Sequence, residues 1–360
     1  MTDLLALTAT LVDIPSVSHN EKAVTDYLHG LLAPVPWLEV TRVGENLVAR
    51  TSLGRDRRLI LAGHTDTVPP NGNAHARVEG DVLWGLGAAD MKGGVAVLAE
   101  LARTVTEPAA DVTYVFYECE EVDSRFNGVE RLFGERPDLL LGDAAVLAEP
   151  TGALVEAGCQ GTMRVELTMT GTRAHSARSW RGRNAVHRLA PILAALAAHE
   201  GRRVVLDGCE FREGLLGVMV EGGVAPNVVP DRAVLMVNHR FAPDRTPEQA
   251  EAHIKEVVGE VDEFCVLDVA PAAPPSLGHP LLTSLLAATG QPPRAKLGWT
   301  DVARFAARGV PATNYGPGDP NVAHAADERV ERHDLDTVYR VLRALLEGDD
   351  AASATRPATM

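Results

Sequence analysis

The chain has 360 residues, room for two domains of ordinary size, and is 46% apolar but only 4% aromatic, so Leu, Val and Ala must fill its core. A net charge of −15 argues against nucleic acid or an anionic membrane surface as partner. Four scattered cysteines without CxxC spacing, a first stretch with no basic n-region, and no apolar run near the ~20 residues of a membrane helix predict a reduced, cytoplasmic protein.

Between residues 2 and 32 the spacing of Leu, Val and Ala predicts helix, interrupted at Ile14-Pro15-Ser16-Val17-Ser18 by a stop and a new cap. Strands are predicted at 38–43, 46–51 and 59–62, then a nearly all-apolar, hence buried, helix over 93–103. A strand at 112–119, a polar loop, a short helix near 129–133 and a strand at 144–148 follow. Alternating helices and near-continuous apolar strands predict an α/β fold with a parallel sheet covered on both faces.

From Gly161 the pattern changes, since residues 162–170 alternate polar and apolar as a half-exposed antiparallel strand does. A helix at 184–199, strands at 216–221 and 232–241, a helix at 247–258 with Pro247 in its first turn, and a strand at 264–269 complete a β-α-β-β-α-β order. That is the split βαβ, ferredoxin-like α+β layout. Ala270-Pro271-Ala272-Ala273-Pro274-Pro275 reads as a return linker, after which helices at 280–289, 301–308 and 335–346 and a strand at 311–315 resume the α/β pattern. A discontinuous domain (1–159 and 271–348) with an inserted domain at 160–270 and a disordered polar tail at 349–360 is therefore expected.

Possible metal ligands stand at the ends of the apolar runs. The 59–62 run leads to His64, with Asp66 two residues on, the 112–119 run to Glu120 and Glu121, and the 144–148 run to Glu149. Asp90 lies in a glycine-rich turn ahead of the buried helix, and His324 in a Gly/Pro-rich loop after the 311–315 strand. Ligands collect beyond the carboxyl ends of parallel strands, and acids beside a core are costly without a compensating ion. One imidazole, one shared carboxylate and one further ligand per ion suit two Zn²⁺, which take His nitrogen and carboxylate oxygen and keep a position open for water. Asp66 is placed to accept the other N–H of His64 and fix its tautomer. Singly, each residue reads as a cap or a loop hydrogen-bonder, and the glycine-rich turn could cradle a phosphate. However, it matches neither GxGxxG nor GxxxxGKS/T. There is no GxSxG, and Cys119 has no histidine near it in sequence to activate it.

Gly63-His64-Thr65-Asp66-Thr67-Val68-Pro69, Gly85-Leu86-Gly87-Ala88-Ala89-Asp90-Met91-Lys92-Gly93-Gly94, Glu120-Glu121 and Ala323-His324 resemble, in order and over nearly the whole chain, the M20 family of co-catalytic zinc aminoacylases and peptidases. Within it the desuccinylase branch, in its actinobacterial form, is the nearest likeness. Thr172-Arg173-Ala174-His175-Ser176-Ala177-Arg178-Ser179-Trp180, Asn238-His239-Arg240-Phe241-Ala242-Pro243-Asp244, Gly298-Trp299-Thr300-Asp301-Val302-Ala303-Arg304-Phe305 and Asn314-Tyr315-Gly316-Pro317-Gly318-Asp319-Pro320-Asn321 carry it.

The resemblance implies a zinc-hydrolase catalytic domain with an inserted lid and dimerisation domain. It implies two Zn²⁺ per subunit, for which Co²⁺ can substitute: His64 and Glu149 on one ion, Glu121 and His324 on the other, Asp90 bridging both. A cis peptide after Asp90 is also implied. Glu120 would be the general base, Asp66 would count with it among the catalytic residues by orienting His64, and His175 would cross into the neighbouring subunit's site of a homodimer to stabilise the oxyanion. The implied reaction is hydrolysis of the amide in a small N-acyl amino acid, succinyl-diaminopimelate, with acetylornithine or a dipeptide as the alternative. A non-catalytic metal-binding scaffold is the alternative of another class, and the retained Glu120 speaks against it.

Such a substrate's charges call for cations such as Arg178 and Arg240. Asn227 matches a family position on the oxyanion side, and Thr300 and Gly316 are expected to line the pocket. One stretch departs from the resemblance. Glu156-Ala157-Gly158-Cys159-Gln160-Gly161 lacks the basic residues that proteobacterial desuccinylases carry at this hinge, so the acyl carboxylate is recognised differently or the acyl group differs.

Overall fold

A computed structural model describes residues 3–348, so the tail expected at 349–360 lies outside the described residues. The chain divides into two compact units, one of residues up to Ala157 with Pro275–Arg294 and the segment from Arg304 onward, the other Gly158–Pro274 with Ala295–Ala303. The second unit thus takes in a short segment, 295–303, from beyond the linker.

In the first unit, four consecutive apolar segments pair in parallel: Asp111–Tyr117, Arg58–His64, Ala144–Leu147 and Ala312–Asn314. Their residues are almost all buried, as strands covered on both faces must be. The sheet is mixed rather than wholly parallel. Glu39–Val43 and Asn46–Arg50 close on each other as an antiparallel hairpin over Gly44-Glu45, with Gly44 at φ 62°, and Glu156–Ala157 adds antiparallel at the other side. A two-residue link allows no parallel crossover, which fixes the hairpin's direction.

The helix Gly93–Thr104 is buried along nearly its whole length. It lies so close to the end of the Ala144–Leu147 strand that a Cβ on Gly94 would stand 2.3 Å from the Ala148 carbonyl oxygen. A small sheet of Arg77–Glu79, Val82–Trp84 and Arg329–Glu331 was not foreseen from the sequence. Its strands are three residues each, too short for a period-2 pattern, and Arg77 and Arg329 stack on Trp84 at 5.1 and 4.9 Å.

The second unit is built on a four-stranded antiparallel sheet in the order Gly214–Gly222, Arg232–Phe241, Gly161–Thr170, Glu263–Ala270. Leu189, Ile192 and Leu196 from one helical segment, and Ala250 and Ile254 from another, pack with Val165, Leu167, Leu235 and Val237 of the strands. The helix Pro247–Val258 starts from a Thr246/Gln249 capping box with proline in its first turn. The single helix expected over 184–199 is two, Ala185–Arg188 and Ala190–Ala198, because Pro191 suits a first turn and starts a new helix there. The hairpin Arg203–Leu206/Cys209–Arg212 was also not foreseen.

Candidate metal centre

The strand Arg58–His64 delivers His64 at its carboxyl end, 1% exposed. Its Nδ1 lies 3.1 Å from the Asp66 carbonyl oxygen and 3.5 Å from Asp66 Oδ1, so Nδ1 is the nitrogen that carries the proton, and Nε2 turns to Asp90 Oδ1 at 3.1 Å. Asp66 is fully buried and accepts from the Ser18 hydroxyl (2.7 Å) and from the backbone N–H groups of Glu120 (3.0 Å) and Glu121 (3.1 Å). Burial opposes its charge, but His64 and these donors outweigh that and hold its pKa below the ordinary carboxylate value.

Asp90 follows the left-handed Gly87 turn, and the Asp90–Met91 peptide is cis. The strand Asp111–Tyr117 ends in Cys119 at φ 57°, which turns the chain so that Glu120 and Glu121 leave it in succession. His324 also has positive φ, 63°, and its Nε2 lies 2.7 Å from Glu121 Oε1 and 3.6 Å from Asp90 Oδ2.

Three groups of donors share these residues: His64, Asp90 and Glu149; Asp90, Glu121 and His324; His64, Glu120 and Glu121. In each, one donor atom per residue lies within 4.8 Å of the others. Asp90 is common to the first two. The donor set is imidazole nitrogen and carboxylate oxygen, the chemistry of zinc and similar divalent ions. The local field favours positive charge here. The hydrogen bond that His324 gives to Glu121 raises its pKa to about 9 against its burial, and on His64 the pull of Asp66 and Asp90 overcomes desolvation and raises its pKa. A fourth group, Glu21, Glu118 and Cys119, is held by hydrogen bonds instead. Glu21 Oε1 accepts from the His19 and Cys119 backbones and the Cys119 thiol, and Glu118 Oε1 from Asn46 and Arg131.

Several features escaped the sequence reading. His19 Nδ1 lies 3.4 Å from Cys119 Sγ although 100 residues separate them, yet burial and Glu21 push the thiol up to about 12 and keep it protonated. Ser18 and Glu328 both bond to the turns that carry the donors, and neither has a sequence signature beyond a polar residue in a loop. Glu328 is 1% exposed, and burial pushes its carboxyl up to about 7. Gly316 has a packing reason to be glycine, since a Cβ there would stand 2.3 Å from the Ala148 carbonyl oxygen and 2.5 Å from that of Glu149.

The remaining candidates belong to the second unit. His175 pairs with Val228, Ser176 N–H donates to the Asn227 carbonyl (2.9 Å), and His175, Arg178 and Asn227 are all exposed within this one corner. Arg240, toward the end of the strand Arg232–Phe241, is partly buried and has no carboxylate partner among the described residues; burial and Arg164 lower its pKa. The Thr300 carbonyl accepts the Cys159 thiol at 3.7 Å.

An α/β unit with ligand donors at its strand ends, and a separate antiparallel α+β unit, is the architecture of a metallohydrolase family. The chain belongs to peptidase family M20/M25/M40, whose family model matches residues 60–348. It is a hydrolase of that family. A protein of Mycobacterium tuberculosis is 51% identical over 348 residues, covering 96% of this chain and 98% of its own. The succinyl-diaminopimelate desuccinylase of Corynebacterium glutamicum is 45% identical over 355 residues, 96% of each chain, and the mycobacterial protein carries that name provisionally. In fold, the chain is similar to an M20 family metallo-carboxypeptidase of Sulfolobus solfataricus, with a TM-score of 0.78 at 17% identity over 96% of this chain and 99% of that one. No helix among the described residues is long and apolar enough to cross a membrane.

Proposed function

We propose that the protein hydrolyses the amide of N-succinyl-LL-2,6-diaminopimelate to succinate and diaminopimelate at a two-zinc centre, in the cytoplasm. The observation that carries the chemistry is Asp90, shared between the His64/Glu149 group and the Glu121/His324 group. The substrate rests on the two relatives that match nearly end to end. His64, Asp90 and Glu149 would hold one ion, and Asp90, Glu121 and His324 the other. Bound zinc supplies Lewis acidity and lowers the pKa of water towards ~7.

The chain's own residues do the rest. Asp66 keeps the proton of His64 on Nδ1, so that Nε2 is a ligand, and its two backbone acceptances fix the main chain of Glu120 and Glu121. Glu120 takes the proton of the attacking water and delivers it to the leaving amine. His175, from a second copy of the chain, donates to the developing oxyanion, with Asn227 beside it. Arg240 and Arg178 meet the carboxylates of the substrate, while Thr300 and Gly316 line the pocket. The homodimer finds support in the edge strand Gly214–Gly222, where Leu216, Val218, Met219 and Val220 are each about half exposed or more, an uncovered apolar edge suited to pairing with its like.

Rates on succinyl-diaminopimelate, acetylornithine and simple dipeptides, with zinc supplied, test the substrate. A clear preference for the succinyl compound is expected. A preference for acetylornithine would overturn the substrate and leave the metal chemistry in place.

A further inference from the structure

We propose that Glu328 is a positioning residue for the metal centre, a buried carboxylate that ties the Asp90 turn to the His324 loop and serves metal binding rather than folding. The inference rests on the reading of Asp90 and His324 as ligands given above.

Glu328 Oε1 accepts two backbone N–H groups, those of Ala89 and of Asp90, each at 3.0 Å. The peptide that leads into the shared ligand is therefore anchored from a residue 238 positions away. The same residue is bound to the other side by its main chain. Its N–H donates to Ala325, the neighbour of His324, at 3.2 Å, and its carbonyl accepts from Gly85, in the turn before Asp90, at 3.0 Å. Asn73 adds a bond from its side chain to the Ala325 carbonyl at 3.1 Å. Two donors that must meet at one ion, Asp90 and His324, with Oδ2 and Nε2 3.6 Å apart, are thus registered through the side chain and the main chain of one residue. Metal affinity depends steeply on such registration, because a ligand out of place loses its bond.

A carboxylate is an expensive way to join two loops. Glu328 is 1% exposed, and its Oε2 is buried with no hydrogen-bond partner among the described residues. The nearby buried cation, Lys92, gives its ammonium to the Ile14 carbonyl at 2.8 Å. A buried, half-satisfied acid lowers stability relative to a neutral group of similar size. An apolar side chain would leave the Ala89 and Asp90 N–H groups unpaired, and glutamine would hold them with a weaker acceptor, so the carboxylate is the residue that fixes the ligand turn most firmly, at a cost in stability that glutamine would avoid.

The test uses the full chain with Glu328→Ala and Glu328→Gln. Zinc affinity is read by competition with a chromogenic chelator, and the melting of each metal-free protein is read separately. In Glu328→Ala at least one zinc is expected to bind ~10–100-fold more weakly, and Glu328→Gln, which removes the buried charge and keeps an acceptor, is expected to melt, metal-free, at or above the wild-type temperature. Glu328→Gln, which keeps a weaker acceptor oxygen, should recover only part of the affinity that Ala loses. Unchanged zinc affinity in Glu328→Ala would overturn the proposal. So would a metal-free Tm that falls along with affinity and is not restored by Gln, which would mark a general fold clamp. Wild-type protein that takes up no divalent metal would instead remove the metal-centre reading on which the proposal stands.

Discussion

Asp66 shows how one buried side chain can separate the tasks of two adjacent acids. It faces the His64 ring, accepts the Ser18 hydroxyl, and takes the backbone N–H of Glu120 on one oxygen and that of Glu121 on the other. With the main chain pinned twice, Glu121 meets His324, and Glu120 and Glu121 both group with His64. Replacing Glu120 by Gln keeps its size and its main-chain bond, so zinc content should stay at the wild-type level while turnover falls by well over ~10²-fold. Zinc analysis run beside the rate measurement separates the two effects, and near-normal turnover would remove Glu120 as the base.

At the scale of the element, the strand Arg232–Phe241 buries an imidazole, His239, that has no hydrogen-bond partner on either nitrogen among the described residues. His253 lies across from it with ring centroids 5.5 Å apart, His199 bonds His253 at 3.0 Å, and Phe241, Glu213 and Arg245 complete its surroundings. Burial lowers the pKa of His239 to about 4, with His253, Arg245 and His199 adding to that and Glu213 opposing it. The unfolded chain, at the ordinary 6.5, therefore takes up the proton first, and the contribution of His239 is a loss of stability as pH drops from 6.5 towards 4 and no change above 6.5. The loss amounts to about 3 kcal/mol at the bottom of that window. Urea unfolding at about pH 7 and about pH 5 checks it: His239→Phe should make the loss between the two pH values smaller than in the wild type and cost nothing at neutral pH, since it also removes two unsatisfied nitrogens. The strand itself was legible in the sequence, as were the buried helix at Gly93 and the strand ends that carry His64 and Glu149. Other features had no sequence period to betray them. The three-residue strands around Trp84, the break at Pro191 and the antiparallel hairpin at Gly44 depend on tertiary pairing or on a single turn. Glu328 looks like any loop acid until the fold folds the turn before Met91 against it.

At the scale of the whole molecule, the proposed dimer makes a prediction that a monomer cannot meet. His175→Ala and Glu120→Gln each disable a different component of a shared site, so mixed and allowed to exchange subunits, the two inactive proteins should regain part of the wild-type rate through hybrid dimers. Exchange shown by a mass label without any recovery of rate would refute a shared site. The order in which the donors occur along the chain has a further consequence, for synthesis. Glu149 and His324 are 175 positions apart (324 − 149), and the second unit's main segment, Gly158–Pro274, is translated in between. At ~5–20 residues per second a ribosome needs about 9–35 s to cover that distance. During that interval the nascent chain displays His64, Asp90, Glu121 and Glu149 but not the histidine that completes the second group. A message cut short, or a stalled ribosome, thus releases a polypeptide that lacks the last donor, and completeness of the C-terminal segment becomes a condition for loading the centre.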